Sequence, residues 1–222
     1  NNVHIIDLAK TKEGLEAAAA FVKALASQGA TIVFVGTKRQ ARTVIREEAK
    51  RAGVLYVDER WVGGTMTNFE EMAKNFKKLK EFRTRLENKE EVAKYTKREV
   101  GLWRKEMLVL ERFYSGIENM QKIPDALLIV DTHLEIGAVR EAMKMGVKTV
   151  GIVDTNADPG LIDYPIPAND DAVGSVKLIV SHIADAWIEG AKEREARIVK
   201  QELREKKQLD KETKKKVKTK AA

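Results

Sequence analysis

Short apolar runs without polar alternation constrain the fold of this chain of 222 residues most strongly. Residues 31–35 (TIVFV) and 125–130 (DALLIV) have no polar side chain after their first position, which is typical of strands buried on both faces of a parallel sheet. The other predicted strands are residues 54–57 and 148–153 and a short edge strand at Tyr164 and Ile166. Helical patterns separate these runs, so the sequence predicts an α/β fold with a doubly wound parallel sheet of the Rossmann or flavodoxin-like type.

The predicted helices have recognisable end signals. Thr11 is the expected cap of the first helix, and glycines close the first two helices at Gly29 and Gly53. A further helix is predicted over residues 136–145, and the last begins near Ala172. The apolar side chains expected to face the sheet are Leu15, Ala18, Val22 and Leu25 in the first helix and Val176, Val180, Ile183 and Trp187 in the last.

A long charged excursion, residues 70–121, interrupts this alternation. Apolar side chains recur at spacings of three and four on both of its arms, which predicts an antiparallel coiled-coil hairpin that turns near residues 88–89. The outgoing seam is Phe69, Met72, Phe76, Leu79 and Leu86, with Arg83 at the one missing position, and the returning seam is Val100, Trp103, Met107, Leu110, Tyr114 and Ile117. The predicted parts are a discontinuous α/β domain (1–68 and 122–191), the inserted hairpin (69–121) and a basic helical C-terminal extension (192–222), partly disordered at 214–220.

The hinge between sheet and hairpin is predicted in residues 60–69 (RWVGGTMTNF), called here the 60–69 segment. Two adjacent glycines allow a sharp turn and a close backbone approach, and we expect Gly63 to need a positive φ. Thr67 or Asn68 is the expected cap of the next helix. Trp61 fits either the core or a stacking contact, with the core favoured because large aromatic side chains are mostly buried.

Charge is distributed unevenly along the chain. The formal net charge is +7, and residues 192–220 alone carry 13 basic and 6 acidic side chains. Residues 125–171 carry 9 acidic and 3 basic side chains, whereas 70–112 carry 13 basic and 9 acidic ones. This asymmetry favours either a surface suited to polyanions or ordinary solvated helix faces.

Composition excludes several classes of protein. The chain has no cysteine, so neither a disulfide framework nor a thiolate metal site is expected, and a reducing compartment is the default. No apolar run approaches the ~18 residues of a membrane span. The first residue is Asn1, which leaves open a segment upstream.

The loop after the first buried strand is a candidate anion site. Residues 36–39 (GTKR) and Arg42 bring a helix start together with cations, which favours a phosphate. The spacing matches neither a P-loop nor a dinucleotide-binding fingerprint, so a plain glycine turn with surface cations is the alternative.

Carboxylates gather in the loops after the later strands, and their oxygens could hold a divalent cation. The candidate metal ligands are Asp154, Asp170 and Asp171, with Asp131 and Asp158 nearby. The alternative is structural: Asp170 and Asp171 cap the last helix, and Asp154 forms an Asx-turn.

Catalysis has little support in the sequence. There is no cysteine nucleophile and no G-x-S-x-G elbow. The three histidines, His4, His133 and His182, have no zinc-ligand spacing. We therefore expect a protein that is not an enzyme.

Several blocks together resemble the universal ribosomal protein S2 family of the small subunit, in its bacterial or organellar form. They are residues 3–8 (VHIIDL), 34–41 (FVGTKRQA), 60–69 (RWVGGTMTNF), 128–131 (LIVD), 152–159 (IVDTNADP) and 166–172 (IPANDDA). The blocks follow the family order and cover about residues 3–190. The resemblance implies a structural ribosomal protein that binds small-subunit rRNA and neighbouring ribosomal proteins, in cytoplasmic or organellar ribosomes, with no required cofactor, no membrane contact and no small-molecule substrate.

The resemblance and the basic loops together predict a set of rRNA contacts. These are Lys38, Arg39, Arg42, Arg60, Trp61, Gly63, Gly64, Thr65, Asn68, Lys74, Lys77 and Lys78. Two other functions remain open at this point. One is a nucleotide- or phosphometabolite-binding protein that uses the crevice at the strand ends, and the other is an interaction module that uses the coiled coil alone.

Overall fold

The computed structural model describes residues 5–220, with the side chains of residues 5–201. The elements in order are α1 (Leu8–Gln28), β1 (Ile32–Val35), α2 (Arg42–Ala52), β2 (Leu55–Val57), α3 (Phe69–Glu87), α4 (Lys89–Val92), α5 (Lys97–Tyr114), β3 (Ala126–Val130), α6 (Ile136–Met145), β4 (Lys148–Val153), a 3₁₀ helix (Pro159–Leu161), β5 (Tyr164–Pro167) and α7 (Val173–Lys220).

The five strands form one parallel sheet in the order β2-β1-β3-β4-β5, which confirms the predicted doubly wound α/β fold. Successive side chains of a strand point to opposite faces. In β1, Ile32 and Phe34 pack in a cluster with α1, α2 and α7, whereas Val33 and Val35 pack with α6 and the bases of α3 and α5. Both faces of the sheet are therefore covered, which explains why its central strands lack polar alternation.

The start of α1 corrects one prediction. The cap is Asp7, whose carboxylate accepts a hydrogen bond from the N–H of Ala9. Thr11 lies inside the helix, and its hydroxyl donates to the carbonyl of Pro167 in β5. The apolar stripe begins only at Leu15, one to two turns after the true start of the helix. A cap predicted from the beginning of the stripe therefore falls inside the helix. At its other end α1 stops at Gly29 with φ 80°, as predicted.

Helices α3 and α5 pack against each other in antiparallel directions. Near their base the rings of Phe76 and Tyr114 are 5.6 Å apart, and near the far end the guanidinium of Arg85 lies 6.0 Å from the ring of Trp103. Phe82 is buried in α3, although the seam was predicted to pass from Leu79 to Leu86. The other buried side chains of this pair are Met72, Phe76, Leu79, Val100 and Tyr114.

The α3–α5 pair is joined to the sheet at its base. Met72, Phe76 and Tyr114 belong to the same apolar cluster as Val33 and Val35 of β1. At the far end α3 stops at Glu87, near the predicted junction at residues 88–89, and the short helix α4 leads from there to α5. The division of the chain into the predicted domains remains a proposal.

The last helix, α7, packs along α1. Val176, Val180, Ile183 and Trp187 are buried, as predicted. Residues 192–201 are exposed. The stretch 214–220, which was predicted to be disordered, lies in the part of α7 whose side chains are outside the described residues. Within the described part of the chain, no helix is both long and apolar enough to cross a bilayer.

Candidate nucleic-acid interface

The loop after β1 holds an anion, but that anion belongs to the chain itself. The backbone N–H and the hydroxyl of Thr37 both donate to the carboxylate of Glu135 at the start of α6, at 3.1 and 2.5 Å. Glu135 is 4 % exposed. Its burial raises the pKa of the carboxyl, and the two bonds from Thr37 only partly oppose this. The predicted phosphate position at this helix start is therefore occupied by Glu135.

Lys38 is bound by three carboxylates. Its ammonium lies 2.6 Å from Asp170, 2.6 Å from Asp171 and 3.2 Å from Asp131. Burial alone lowers the pKa of Lys38, but the hydrogen bonds that its ammonium donates to the three aspartates outweigh burial, so the net pKa is raised. Lys38 thus neutralises the strand ends and is not a free phosphate contact.

The proposed metal ligands do not come together as a site. Asp154 accepts hydrogen bonds from the N–H groups of Thr155 and Asp170. Among the residues that the structure describes, no group of three or more acidic or histidine side chains is arranged to hold a metal ion. The cation between the aspartates is the ammonium of Lys38, which supplies the charge that a metal was expected to supply.

The turn before α7 also differs from the prediction. The side-chain oxygen of Asn169 accepts from the N–H groups of Asp171 and Ala172, both at 2.8 Å. Asp170 was expected to cap the helix, but it is buried against Lys38. Asn169 thus holds the turn that leads into α7, while the side chains of Asp170 and Asp171 both bind Lys38.

The predicted arginines separate into two groups. Arg42 donates to the carbonyl of Thr37 at 2.7 Å and to the carboxylate of Glu59 at 3.2 Å, so it joins two loops of the sheet edge. Arg39 and Arg60 are exposed, and neither forms an ion pair within residues 5–201. Their guanidinium groups are therefore free to meet an external anion.

A glutamate that sequence patterns did not single out organises the 60–69 segment. The carboxylate of Glu141 in α6 accepts from the N–H groups of Gly64 (2.7 Å), Met66 (3.0 Å) and Thr67 (3.2 Å). It also accepts from the indole N–H of Trp61 at 3.1 Å. The sequence feature that could have identified Glu141 is its position next to Ala142, on the side of α6 that faces the core, where a charged side chain needs a partner.

These bonds set the ionisation of Glu141. Burial raises the pKa of its carboxyl, but the N–H groups of Met66, Gly64 and Thr67 and the indole of Trp61 outweigh burial, and the net pKa is lowered. Glu141 therefore remains charged and binds donors of four residues at once, Trp61, Gly64, Met66 and Thr67.

The structure places the remaining residues of the 60–69 segment as follows. Trp61 is 9 % exposed and belongs to the core, as favoured. Gly64 has φ 93°, whereas Gly63 has no positive φ, so the expectation for Gly63 was one residue early. Thr65 is buried with its hydroxyl bonded to the carbonyl of Val62. Asn68 stands at the cap position of α3 but makes no side-chain capping bond.

The lysines of α3 lie on its exposed side. Lys74 pairs with Glu71 at 2.5 Å, Lys77 approaches Glu81 at 3.9 Å, and Lys78 pairs with Glu106 of α5. Pairs this exposed contribute little and exchange readily with other anions. The helix thus presents cations that a polyanion can recruit.

Comparison with known proteins shows the family to which the chain is similar. A family model described as "Ribosomal protein S2" matches residues 1–190. A protein of Coprothermobacter proteolyticus named "Small ribosomal subunit protein uS2" is 49% identical over 195 residues, which cover 88% of this chain and 72% of that relative. The basic stretch 192–220 lies beyond the residues that the family model matches.

Proposed function

The chain belongs to the ribosomal protein S2 family of the small ribosomal subunit, a structural rather than catalytic family, and from this membership we propose that it binds small-subunit rRNA and neighbouring ribosomal proteins. It acts in the ribosome, of a bacterial cytoplasm or an organelle, and it needs no cofactor or substrate for this role.

One observation supports the rRNA proposal most directly. The carboxylates at the strand ends are bound by the chain's own donors, while Arg39 and Arg60 are exposed and without ion pairs among the described residues. Unpaired arginines bind phosphate oxygens in bidentate geometry. Such contacts position a protein on an A-form backbone without reading its sequence.

The α3 lysines extend this proposed surface. Lys74 and Lys77 have side chains that are 70% and 80% exposed. Their partners are glutamates of the same helix, so an RNA phosphate can replace them at little cost. Lys38 and Arg42, in contrast, act through the fold: they hold the loops from which Arg39 projects.

Protein neighbours are proposed for the outer side of α5. Leu102, Leu108 and Val109 are more than half exposed there. Apolar side chains of this size gain more from an apolar protein surface than from a phosphate backbone.

The alternative function, a nucleotide or phosphometabolite in the crevice at the strand ends, has no geometric support at the switch point between β1 and β3. In a doubly wound sheet this is where the strand order reverses and where ligands usually bind. Here Asp131, Glu135 and Asp170 fill that edge. Buried carboxylates repel a phosphate, so the switch point has a structural use in this chain.

Binding to small-subunit rRNA across a salt series tests the proposal. We expect the affinity of the full chain to fall log-linearly with salt and to survive competitor tRNA. The double variant Arg39→Glu, Arg60→Glu should bind at least about tenfold more weakly at low salt and show a shallower salt slope. Its melting temperature should not change, because neither side chain has a partner to lose.

The double variant Lys144→Glu, Lys177→Glu is the charge-matched control, since both residues are exposed cations, on α6 and α7, without an ion pair among the described residues. It should bind like the parent chain. An equal loss of rRNA affinity in the control would mean that the effect reflects net charge alone. An unchanged affinity of the Arg39→Glu, Arg60→Glu variant would show that neither arginine is part of the interface.

A further inference from the structure

A cavity of 370 Å³ lies between the end of β3, the first turns of α6 and the loop after β4. Its walls are largely apolar, with Ile136 and Val139 on the α6 side and Leu161 and Ile162 on the loop side. The volume is within the range of small-ligand sites. Neither the Lys38 network nor the 60–69 segment lines it, so the contacts proposed above leave it unexplained.

One residue that lines the cavity has a buried polar atom without a partner. Thr132 lines it and is 3 % exposed, and in the described part of the chain its hydroxyl is the one buried side-chain polar atom with no hydrogen bond. A buried hydroxyl normally has a partner, because losing water without replacement is costly. This oxygen has almost no exposed surface, so a ligand edge with a donor or acceptor would satisfy it only after rotation of the Thr132 side chain about its Cα–Cβ bond.

The two sides of the rim differ in charge. His133 and Arg140 are exposed on the α6 side, and neither forms an ion pair with any residue the structure describes. The loop side presents the amide of Asn156 and the carboxylate of Asp158, which accepts from the N–H of Gly160 at 2.9 Å. An anionic group is thus favoured at one end of the cavity and a neutral hydrogen-bonding edge at the other.

We infer that this cavity binds a nucleobase, with the adjoining phosphate at Arg140 and His133. The flat faces of a base fit between the two apolar walls. Its polar edge reaches Asn156 and, once the Thr132 side chain has rotated, the Thr132 hydroxyl. An aliphatic carboxylate would match the apolar walls and Arg140 but leave the amide without a role.

The source of the nucleotide follows from the proposed function, on which this inference rests. Proteins that bind rRNA commonly take up unpaired bases, which can leave the stack and enter a pocket. The expected ligand is therefore one unstacked nucleotide of a single-stranded RNA segment. A free mononucleotide has the same chemistry and is the other source.

NMR of the full chain with labelled methyl groups tests the site directly. The probes are the four ribonucleoside 5′-monophosphates, homopolymeric RNA hexamers and ribose 5-phosphate. We expect the hexamers to shift the methyl signals of Thr132, Val139 and Ile162, with weaker shifts from at least one mononucleotide and none from ribose 5-phosphate.

Three variants sharpen the test. Arg140→Ala should weaken hexamer binding about tenfold, as for loss of a charge-assisted hydrogen bond. Lys144→Ala, an exposed cation one turn further along α6 that does not line the cavity, should change it less than about twofold. Thr132→Val should weaken binding about fivefold while leaving the melting temperature unchanged or higher, because the hydroxyl has no partner to lose.

The outcomes separate this inference from the proposed function. Salt-dependent rRNA binding with no shift at the cavity methyls would overturn the inference and leave the function standing. Mononucleotide shifts without any rRNA binding would support the cavity as a free-nucleotide site and overturn the function. Equal effects of Arg140→Ala and Lys144→Ala, or shifts with ribose 5-phosphate alone, would overturn the base-binding assignment.

Discussion

At the scale of single residues, Glu141 shows how one side chain can define a loop. The 60–69 segment has no strand or long helix of its own to satisfy its N–H groups, and a loop backbone without partners would be costly to bury. The Glu141 carboxylate accepts from three of those N–H groups and from the indole of Trp61. The conformation of the hinge, including the positive φ of Gly64, therefore depends on a residue in another element.

We expect Glu141→Ala to lower the free energy of unfolding by about 3 kcal/mol at pH 7, because several donors to a charged acceptor lose their partner. Urea denaturation measures this. Glu47→Ala is the control, since Glu47 is exposed on α2 and has no ion pair in the described part of the chain, and it should change the free energy by less than about 0.5 kcal/mol.

The same variant has a defined pH dependence. The pKa of Glu141 is lowered in the folded chain, so its contribution is complete above the ordinary glutamate pKa of about 4.3 and is lost as the pH falls through the lower folded pKa. The difference between parent and variant should therefore shrink in acid. A difference that grows below pH 4 would mean that Glu141 does not act as a charged acceptor.

At the scale of elements, the closest packing is between α1 and α7. A Cβ built on Gly190 would lie 2.2 Å from the carbonyl oxygen of Lys23 and 2.8 Å from the Cβ of Ala26, so the helix backbones approach more closely there than any other residue allows. Beyond it, Arg197 donates to the carbonyl of Ser27 and satisfies the end of α1. The start of the basic extension is thus attached to the α/β core.

We expect Gly190→Ala to destabilise the chain by about 1–3 kcal/mol, although alanine is the better helix former by about 1 kcal/mol, because the added methyl meets backbone that cannot move aside. Gly101→Ala in α5 is the opposing control, since nothing lies within 4 Å of its Cβ position, and it should stabilise. Thermal denaturation of both variants tests this expectation. A change in melting temperature of the same sign in both variants would contradict the close approach at Gly190.

At the scale of the whole molecule, one ammonium connects loops that are far apart in sequence. Lys38 follows β1, Asp131 follows β3, and Asp170 and Asp171 follow β5. Asp131 has φ 62°, an uncommon value for a residue other than glycine, and its second oxygen accepts from the N–H of Leu134. These contacts close the sheet edge at which doubly wound proteins usually bind a ligand.

We expect Lys38→Met to cost about 3–5 kcal/mol at pH 7, because Asp131 and Asp170 would remain buried without a cation. Burial raises the pKa of Asp170, and Lys38 opposes this, so the variant's Asp170 should have a still higher pKa. The loss of unfolding free energy in the variant should therefore be small at low pH and grow as the pH rises through that pKa. Unfolding followed from pH 4 to 8, with Lys177→Met as the control, measures it; a deficit independent of pH would contradict the role of buried charge.

Local patterns of side-chain polarity were sufficient for the architecture. Buried strands, helix-ending glycines and the inward stripe of α7 were predicted from neighbouring residues, because burial on two faces, the left-handed turn and the 3.6-residue period are local requirements. The seams of α3 and α5 were placed nearly correctly, and Phe82 was missed because the choice between adjacent seam positions depends on the partner helix.

The sequence by itself determined the fold class, the family and the position of the hinge, since these follow from apolar periodicity and from contiguous motifs. Only the tertiary structure decided which charges are free. Lys38 and Arg39 are neighbours, yet one is held by three aspartates and the other faces solvent. Glu135 lies at the start of α6 and Glu141 within it, yet each holds a separate loop. The physical reason is that the partner of a charge is chosen by distance in space, and the crossovers of this sheet bring together residues about 75 to 130 positions apart.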